Sequence, residues 1–439
     1  MAEELLVYTH KRSARLMYVL DFVFHRILGY KLKVLTQWDA FDAAETILKI
    51  NYSSKESAEV YTVYPLDLLF ETDLFEQPIH LLEWESIPII YGHNYKSQIP
   101  FDLFAASFYC ISRYEEYLPF LPDAHNRFAH TQSWATKLDL LKRPLVNEWI
   151  RAFHKSFRAF YQLEEAPKAE ASLLISIDVD NSYAFRGKGP IRSLTGWMKD
   201  LYELKMDYVK GRWDTLVRGN IDPFDNYDFQ IDCANRGGVP LIYFVLYSEL
   251  SNHDRNISRF SLLLKKSVRH LSDFALLGIH PSYRSNEDFK ILEEEFKDLE
   301  IQTRRKIRSS RQHYLMLKLP STYRKLMRLG IQHDYSMGYS QATGWRASCC
   351  SPFLFYDLEM EEATDLVIHP FPFMDSVYFD HLKIPASEAL KEIELYSNQV
   401  KELGGELVAV WHNRSFSEME AEWKGWKENY ETLIEWFKK

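Results

Sequence analysis

The chain has 439 residues, of which 46% are apolar, 15% aromatic and 26% charged, and its net charge is −9. This length predicts two domains, and the composition excludes an intrinsically disordered chain. The acidic balance argues against nucleic acid as a partner.

No secretory or membrane-spanning segment is predicted. The acidic start Met1–Leu6 is not followed by a secretory apolar stretch, and the longest strand-like apolar run, Val239–Tyr247, is too short for a bilayer. The four cysteines show neither a zinc-type spacing nor the density of a disulfide scaffold. We therefore expect a cytoplasmic protein without membrane insertion.

The front of the chain predicts a small α/β or α+β domain of unknown role. Its expected strands and helices are Leu5–Tyr8, Lys33–Leu35 and Ile87–Ile90, then Phe101–Tyr117 and Pro144–Tyr161. A polar, proline-containing stretch at Leu163–Glu170 predicts the boundary, which gives an N-terminal domain over 1–165 and a second over 166–439.

The second domain shows strand and helix patterns in alternation. The expected strands are Leu173–Ile177, Pro240–Leu246, Phe274–Ile279, Tyr314–Leu317, Ile331–Asp334, Leu366–His369 and Leu407–Trp411. The expected helices are Asn226–Arg236, Ile257–Leu271, Glu287–Ile301, Ser321–Leu329 and Ser387–Leu403. Such alternation predicts a parallel sheet with helices outside, either open or closed into a barrel.

The first of these strands ends in two carboxylates, Asp178 and Asp180. The carboxyl end of a parallel strand is where sites are built, and residues two apart on a strand point to the same side. One carboxylate can then hold a cation while the other accepts a proton. The alternative is a strand-end turn in which an Asp caps a helix.

Three further strand ends carry groups that can do chemistry. They are Gly278–Tyr283 with His280, Ser309–Tyr314 with Arg311 and His313, and Val408–Arg414 with His412. A single histidine at a strand end is more often structural. Four strand ends that carry such groups at one face of a sheet favour a functional site.

In this order the motifs resemble the polysaccharide deacetylase family, carbohydrate esterases with a nodulation-type deacetylase homology domain. The resemblance covers about residues 171–415 and implies a distorted seven-stranded (β/α) barrel. It also implies a bacterial hydrolase of carbohydrate metabolism that removes acetyl groups, at amide or ester bonds, from an amino sugar or glycan precursor. The segment Ile99–Pro119 resembles the front domain of an uncharacterised bacterial branch of these proteins.

The resemblance also implies roles for single residues. Asp178 would be the catalytic base, Arg311 the residue that steers it, and His412 the acid. Asp180 and His280 would bind the metal.

A substrate-binding set follows from the same comparison. Tyr314 lies near the family's oxyanion position, and Asp334 stands where the family often orients its acid histidine. An apolar, sugar-stacking wall would come from Tyr183, Tyr283, Trp345 and Trp411, although such aromatic residues are more often core. Ser282 is a further substrate-binding candidate.

One position departs from the family pattern. The family's second metal-binding histidine follows the first by four residues, where this chain has Arg284, which stays protonated and cannot be a ligand. A zinc site needs three protein ligands, so His313 is the candidate for the third. Its alternative role is a hydrogen bond to substrate or to a ligand. Zinc suits nitrogen and carboxylate donors, and iron, cobalt and nickel stay open as alternatives.

Two main functions therefore stay open, besides a third in which the same site hydrolyses a non-sugar amide. The first is a metal-dependent deacetylase acting on carbohydrate. The second is a decayed barrel in which Arg284 marks a lost metal site and the chain binds a saccharide or a protein partner.

Overall fold

The computed structural model describes residues 3–164 and 170–438. The predicted boundary Leu163–Glu170 therefore lies largely outside the described residues. Contacts divide the chain into two compact units. The first contains residues up to Ala171 with Trp345–Pro370 and Glu402–Gly405, and the second contains Ser172–Gly344, Phe371–Lys401 and the residues from Glu406 onward.

The structure is a mixed α/β fold. Its strands are β1 Glu4–Thr9, β2 Lys31–Leu35, β3 Lys49–Tyr52, β4 Tyr61–Thr62, β5 Leu82–Trp84, β6 Ile87–Ile89, β7 Ala171–Val179, β8 Leu241–Val245, β9 Leu276–Ile279, β10 Ser309–Ser310, β11 His333–Asp334, β12 Phe353–Asp357, β13 Glu362–Ile368, β14 Phe373–Met374 and β15 Gly405–His412. Its helices are α1 Ala14–Leu20, α2 Trp38–Asp42, α3 Leu103–Ile111, α4 Trp134–Lys137, α5 Leu145–Phe160, α6 Gly189–Tyr202, α7 Met206–Leu216, α8 Tyr227–Gly237, α9 Leu262–Phe274, α10 Phe289–Thr303, α11 Ser321–Arg328, α12 Ala386–Leu403 and α13 Trp426–Phe437. Within the described residues, no helix is both long and apolar enough to cross a membrane.

The first unit holds a four-stranded parallel sheet in the order β2-β1-β3-β4. An aromatic core packs between its helices, where the rings of Phe24 and Phe153 meet at 5.9 Å. A buried ion network holds the same unit together, because Glu116 accepts hydrogen bonds from both Arg113 and Arg346.

The second unit holds seven strands in the order β11-β10-β9-β8-β7-β15-β14. Neighbours from β7 to β11 pair in parallel, as do β14 and β15. In the register, Asp178 of β7 lies opposite Phe244, and Ser310 of β10 lies opposite Asp334. The carboxyl ends of these strands therefore meet at one edge.

The two outer strands of this order are brought together. The N–H of Phe371 before β14 donates to the carbonyl of Met337 after β11 at 3.2 Å, and the N–H of Gly344 donates to Pro372 at 2.7 Å. One buried core cluster contains side chains from near both edges and from the middle of the sheet, including Leu174, Ile242, Phe244, Tyr335, Phe371, Met374 and Val408. The sheet is therefore strongly curled.

One predicted strand of the second domain is wrong, and another forms but lies in the first unit. Tyr314–Leu317 is not extended, because His313–Leu315 forms a 3₁₀ turn in which Tyr314 adopts a left-handed conformation with φ 57°. Leu366–His369 falls largely on β13, which pairs antiparallel with β12 and belongs to the first unit. Apolar alternation alone cannot distinguish these outcomes, since it carries no information about strand partners.

A glycine at the curled edge provides a test of this packing. A Cβ on Gly338 would lie 2.2 Å from Cζ of Phe371. Gly338→Ala is therefore expected to lower the free energy of unfolding by about 1–3 kcal/mol through overpacking. Urea denaturation measures the loss. Adding Phe371→Leu removes the clashing ring atoms, so the double variant should lose less than the sum of the two single losses, and strict additivity would contradict this packing.

Candidate functional site

Asp178 forms a buried ion pair at the carboxyl edge of the curled sheet. Nη1 of Arg311 donates to Oδ1 of Asp178 at 2.8 Å, while Nη2 donates to Ser176 at 2.8 Å and Nε to the carbonyl of Tyr335 at 2.9 Å. The Arg311 side chain is fully buried, and its guanidinium lies 4.5 Å from the ring of Phe244. One buried guanidinium thus holds the Asp178 carboxylate in place.

Asp180, two residues further on, faces three imidazoles. Its Oδ1 lies 3.3 Å from Nε2 of His280 and 3.8 Å from Nε2 of His313. Its Oδ2 lies 3.7 Å from Nε2 of His412. The four groups come from the ends of β7, β9, β10 and β15, so the parallel register is what brings them together.

Each imidazole is held through its other ring nitrogen. Nδ1 of His280 lies 2.6 Å from the carbonyl oxygen of Arg311, which can only accept. Nδ1 of His313 lies 2.9 Å from Oδ1 of Asp254, and Nδ1 of His412 lies 2.6 Å from a carboxylate oxygen of Asp375. These partners favour protonated Nδ1 atoms, and in the neutral rings they leave the Nε2 lone pairs directed towards Asp180.

The electrostatics of the group follow from this convergence. Burial acts to raise the pKa of Asp180, but the imidazoles of His313, His280 and His412 hold that pKa well below its usual range. Burial acts to lower the pKa of His412, while the carboxylates of Asp375 and Asp180 raise it to about 9. Asp180 is therefore an anion, and His412 carries a proton at neutral pH that it can donate.

Three of these side chains could hold a divalent cation. Donor atoms of Asp180, His280 and His313 all lie within 4.8 Å of one another. In the part of the chain that the structure describes, Oδ1 of Asp180 is buried with no hydrogen bond of acceptable geometry. Two imidazole nitrogens and one carboxylate oxygen are the donor set that zinc accepts. Arg284 is exposed in a 3₁₀ turn, as expected of a residue that is not a ligand.

The sequence suggested that Asp334 orients His412. In the structure, the carboxylate that holds the His412 ring is that of Asp375. Oδ2 of Asp375 also accepts from the backbone N–H of His412 at 2.7 Å and from the hydroxyl of Ser415. Asp334 instead accepts hydrogen bonds from Ser310 and Ser336, and so braces the ends of β10 and β11.

Two predicted sugar-stacking tryptophans are core residues. Trp345 is fully buried in the first unit, where its N–H donates to the carbonyl of Leu141. Trp411 is also fully buried, with rings of Phe416, Trp426 and Tyr430 within 6.0 Å. A side chain without exposed surface cannot stack on a sugar, so the substrate-binding prediction for both is wrong.

Tyr314 is 37% exposed and lies beside His313, with ring centroids 4.6 Å apart. Its ring meets that of Tyr283 at 5.6 Å, and Tyr283 stacks on His253 at 4.1 Å. These three rings form an aromatic rim next to the imidazole of His313.

The two other residues of the predicted set have local structural contacts. Ser282 is buried, and its hydroxyl accepts from the N–H of Ser285. Tyr183 is buried, with the guanidinium of Arg186 5.7 Å from its ring.

No role was predicted for Asp254 or Asp375, although the sequence carried a general signal for both. Asp375 directly follows β14, and Asp254 lies in the segment that follows β8. Both are therefore at the carboxyl edge of the sheet, where a polar side chain is informative. Asp254 is almost fully buried and also accepts from the N–H of Tyr283 and the hydroxyl of Ser251.

Comparison with known proteins gives limited information. Residues 5–162 match the model of a family of unknown function, DUF7033. No curated protein matches the chain.

Several solved structures show weak similarity. A protein from Mycobacterium smegmatis named as a polysaccharide deacetylase is 13% identical, with a TM-score of 0.39 over 62% of this chain and 89% of the other. A CE4 family pseudoenzyme from Bacillus anthracis is 10% identical, with a TM-score of 0.31 over 64% and 66% of the two chains. A polysaccharide deacetylase from Bacillus cereus is 10% identical, with a TM-score of 0.28 over 59% and 88%. All three TM-scores are below 0.5, so these similarities establish neither fold nor activity.

The buried pair of Arg311 and Asp178 makes a stability prediction. Arg311→Met leaves a buried carboxylate without its partner and should lower the free energy of unfolding by about 3–5 kcal/mol. Adding Asp178→Asn should restore part of that loss in urea denaturation. The control is Lys297→Met, at an exposed pair with Glu293, which should cost less than about 1 kcal/mol. An equally small cost for Arg311→Met would contradict the assignment.

Proposed function

We propose that this chain is a metal-dependent hydrolase that removes an acetyl group from an amino sugar or glycan precursor. The observation that carries the proposal is the convergence of three held imidazoles on Asp180, beside the ion pair of Asp178 and Arg311. The order of these residues along the chain is that of the deacetylase motifs. We further propose that the curled sheet is the family's seven-stranded barrel, and that the enzyme acts in the cytoplasm.

Asp180, His280 and His313 would hold the cation, with zinc as the metal that suits them best. When bound, the cation would supply positive charge that polarises the substrate carbonyl. His313 would thus replace the family's second metal-binding histidine, whose position in this chain is occupied by Arg284. Asp254 keeps the His313 ring in the orientation and tautomer that this role needs.

Asp178 acts as the base in this proposal. Its carboxylate takes a proton from the water that attacks the acetyl carbonyl, while Arg311 holds it in place. A backbone N–H near Tyr314 is the candidate donor to the oxygen that becomes negative. His412, held by Asp375, then gives its proton to the departing sugar nitrogen as the carbon–nitrogen bond breaks.

The aromatic rim beside His313 is the basis for proposing a carbohydrate as the substrate. Tyr283, Tyr314 and His253 present aromatic faces next to His313, and such faces suit the apolar side of a sugar ring. An acetylated amino sugar places both a ring and an amide within reach of one site.

Removing the base or the acid should abolish turnover without unfolding the protein. Asp178→Asn and His412→Ala are each expected to lower the release of acetate from N-acetylated sugars by at least about 100-fold. Asp228→Asn, at an exposed carboxylate on α8, serves as the matched control and should retain activity. Full activity in either of the first two variants would remove the proposed mechanism.

Zinc affinity separates the ligands from the acid. In metal-depleted protein, Asp180→Asn should abolish zinc binding measured by calorimetry, and Asp254→Asn should weaken it by about 10–100-fold. Asp375→Asn should leave zinc affinity nearly unchanged while it lowers turnover, because Asp375 holds His412 and none of the three proposed ligands. Wild-type protein that binds no zinc, with a melting temperature unaffected by zinc, would favour the alternative of a saccharide-binding module.

A further inference from the structure

The helical hairpin formed by α6 and α7 carries a concentration of exposed apolar side chains. Of 27 large apolar side chains exposed in the described part of the chain, eleven lie between residues 191 and 221. Ile191 is 78% exposed, Tyr202 90% and Leu204 79%. Others in this hairpin patch are Leu194, Met198, Leu201, Met206, Trp213, Leu216, Val217 and Ile221. Such density exceeds the scattered apolar exposure that is ordinary on protein surfaces.

The exposed positions follow helical periodicity. In α6 they are Ile191, Leu194, Met198 and Leu201, spaced by three, four and three residues, which places them on one face. In α7 the exposed Met206 and Trp213 are seven residues apart and likewise share a face. Each helix is therefore amphipathic, with its apolar stripe turned to solvent.

The opposite faces of α6 and α7 contact each other and the rest of the protein, so the hairpin is an integral part of the fold. Nη2 of Arg212 in α7 binds Asp200 in α6 at 2.7 Å, and both side chains are buried. A Cβ on Gly196 would lie 2.6 Å from Nη2 of the same guanidinium, so the two helices approach closely at this glycine. Tyr208 binds Glu420, and the Arg212 guanidinium lies 4.7 Å from the ring of Phe185.

The charge of this segment differs from that of the chain. Residues 186–221 contain eight Lys and Arg and four Asp and Glu, a net charge of +4 in a chain whose net charge is −9. The exposed cations include Arg186, Lys199, Lys205, Lys210 and Arg218. Apolar stripes flanked by long basic side chains are the pattern of a helix that lies in the surface of an anionic bilayer.

We propose that the α6–α7 hairpin docks this chain on an anionic lipid surface, with its apolar stripes in the headgroup boundary and its basic side chains at the lipid phosphates. A second copy of the chain is a poorer occupant, because a two-fold contact would set one +4 segment against another. The inference does not depend on the proposed hydrolase, since neither the cation ligands nor Asp178 belong to the hairpin.

Vesicle co-sedimentation of the full chain tests this docking. Phosphatidylcholine vesicles containing phosphatidylglycerol should bind the protein at least about ten-fold more tightly than phosphatidylcholine alone, and added salt should weaken the binding. Leu194→Asp with Met198→Asp should lower the partition coefficient by at least about ten-fold. Their side chains are exposed, so the melting temperature should stay unchanged.

Matched variants make the outcome decisive. Leu395→Asp, at an exposed apolar position on α12, should leave vesicle binding unchanged. Lys199→Glu with Lys205→Glu should weaken binding to anionic vesicles only. The inference is overturned if wild-type protein ignores anionic vesicles, or if the Leu194 and Met198 variant binds them as well as wild type does. It is also overturned if that variant instead abolishes a concentration-dependent dimer while vesicles are not bound.

Discussion

The site depends on one constraint, which is the placement of the partly buried Asp180 carboxylate among three imidazoles. A carboxylate removed from water is stable only when positive charge or donors surround it. Here His280, His313 and His412 all direct Nε2 at the same carboxyl group, so protonated rings, or a cation held by their lone pairs, would supply that charge. Such convergence requires each ring to be fixed through its other nitrogen, Nδ1. The carbonyl of Arg311 and the carboxylates of Asp254 and Asp375 fix the three rings in this way.

Arg311 joins the two halves of the site. Its carbonyl oxygen accepts from Nδ1 of His280, while its guanidinium binds Asp178 and the hydroxyl of Ser176. One residue therefore fixes both a proposed ligand and the proposed base. Asp334 supports the segment that carries Arg311. It accepts hydrogen bonds from Ser310 and Ser336, and Ser336 in turn accepts one from the N–H of Gln312. These hydrogen bonds thus tie the ends of the short β10 and β11 strands together beside the proposed site.

The sequence predicts those parts of the site that end an apolar strand. Asp178, Asp180, His280 and His412 each follow such a run, and the parallel sheet then brings them together. Which carboxylate would hold His412 was not predictable, because the parallel pairing of β14 with β15 places Asp375 beside His412 and a one-dimensional pattern does not encode that pairing. The same limit explains Trp411, whose burial depends on rings distant in sequence.

Anomalous diffraction at the zinc absorption edge tests the central claim most directly. A crystal of the zinc-loaded protein should show one strong peak within coordination distance of the Asp180 carboxylate and Nε2 of both His280 and His313, at about 2.0–2.2 Å. His412 should stay bound to Asp375, outside the coordination shell. A peak elsewhere, or no peak between these three side chains, would contradict the account.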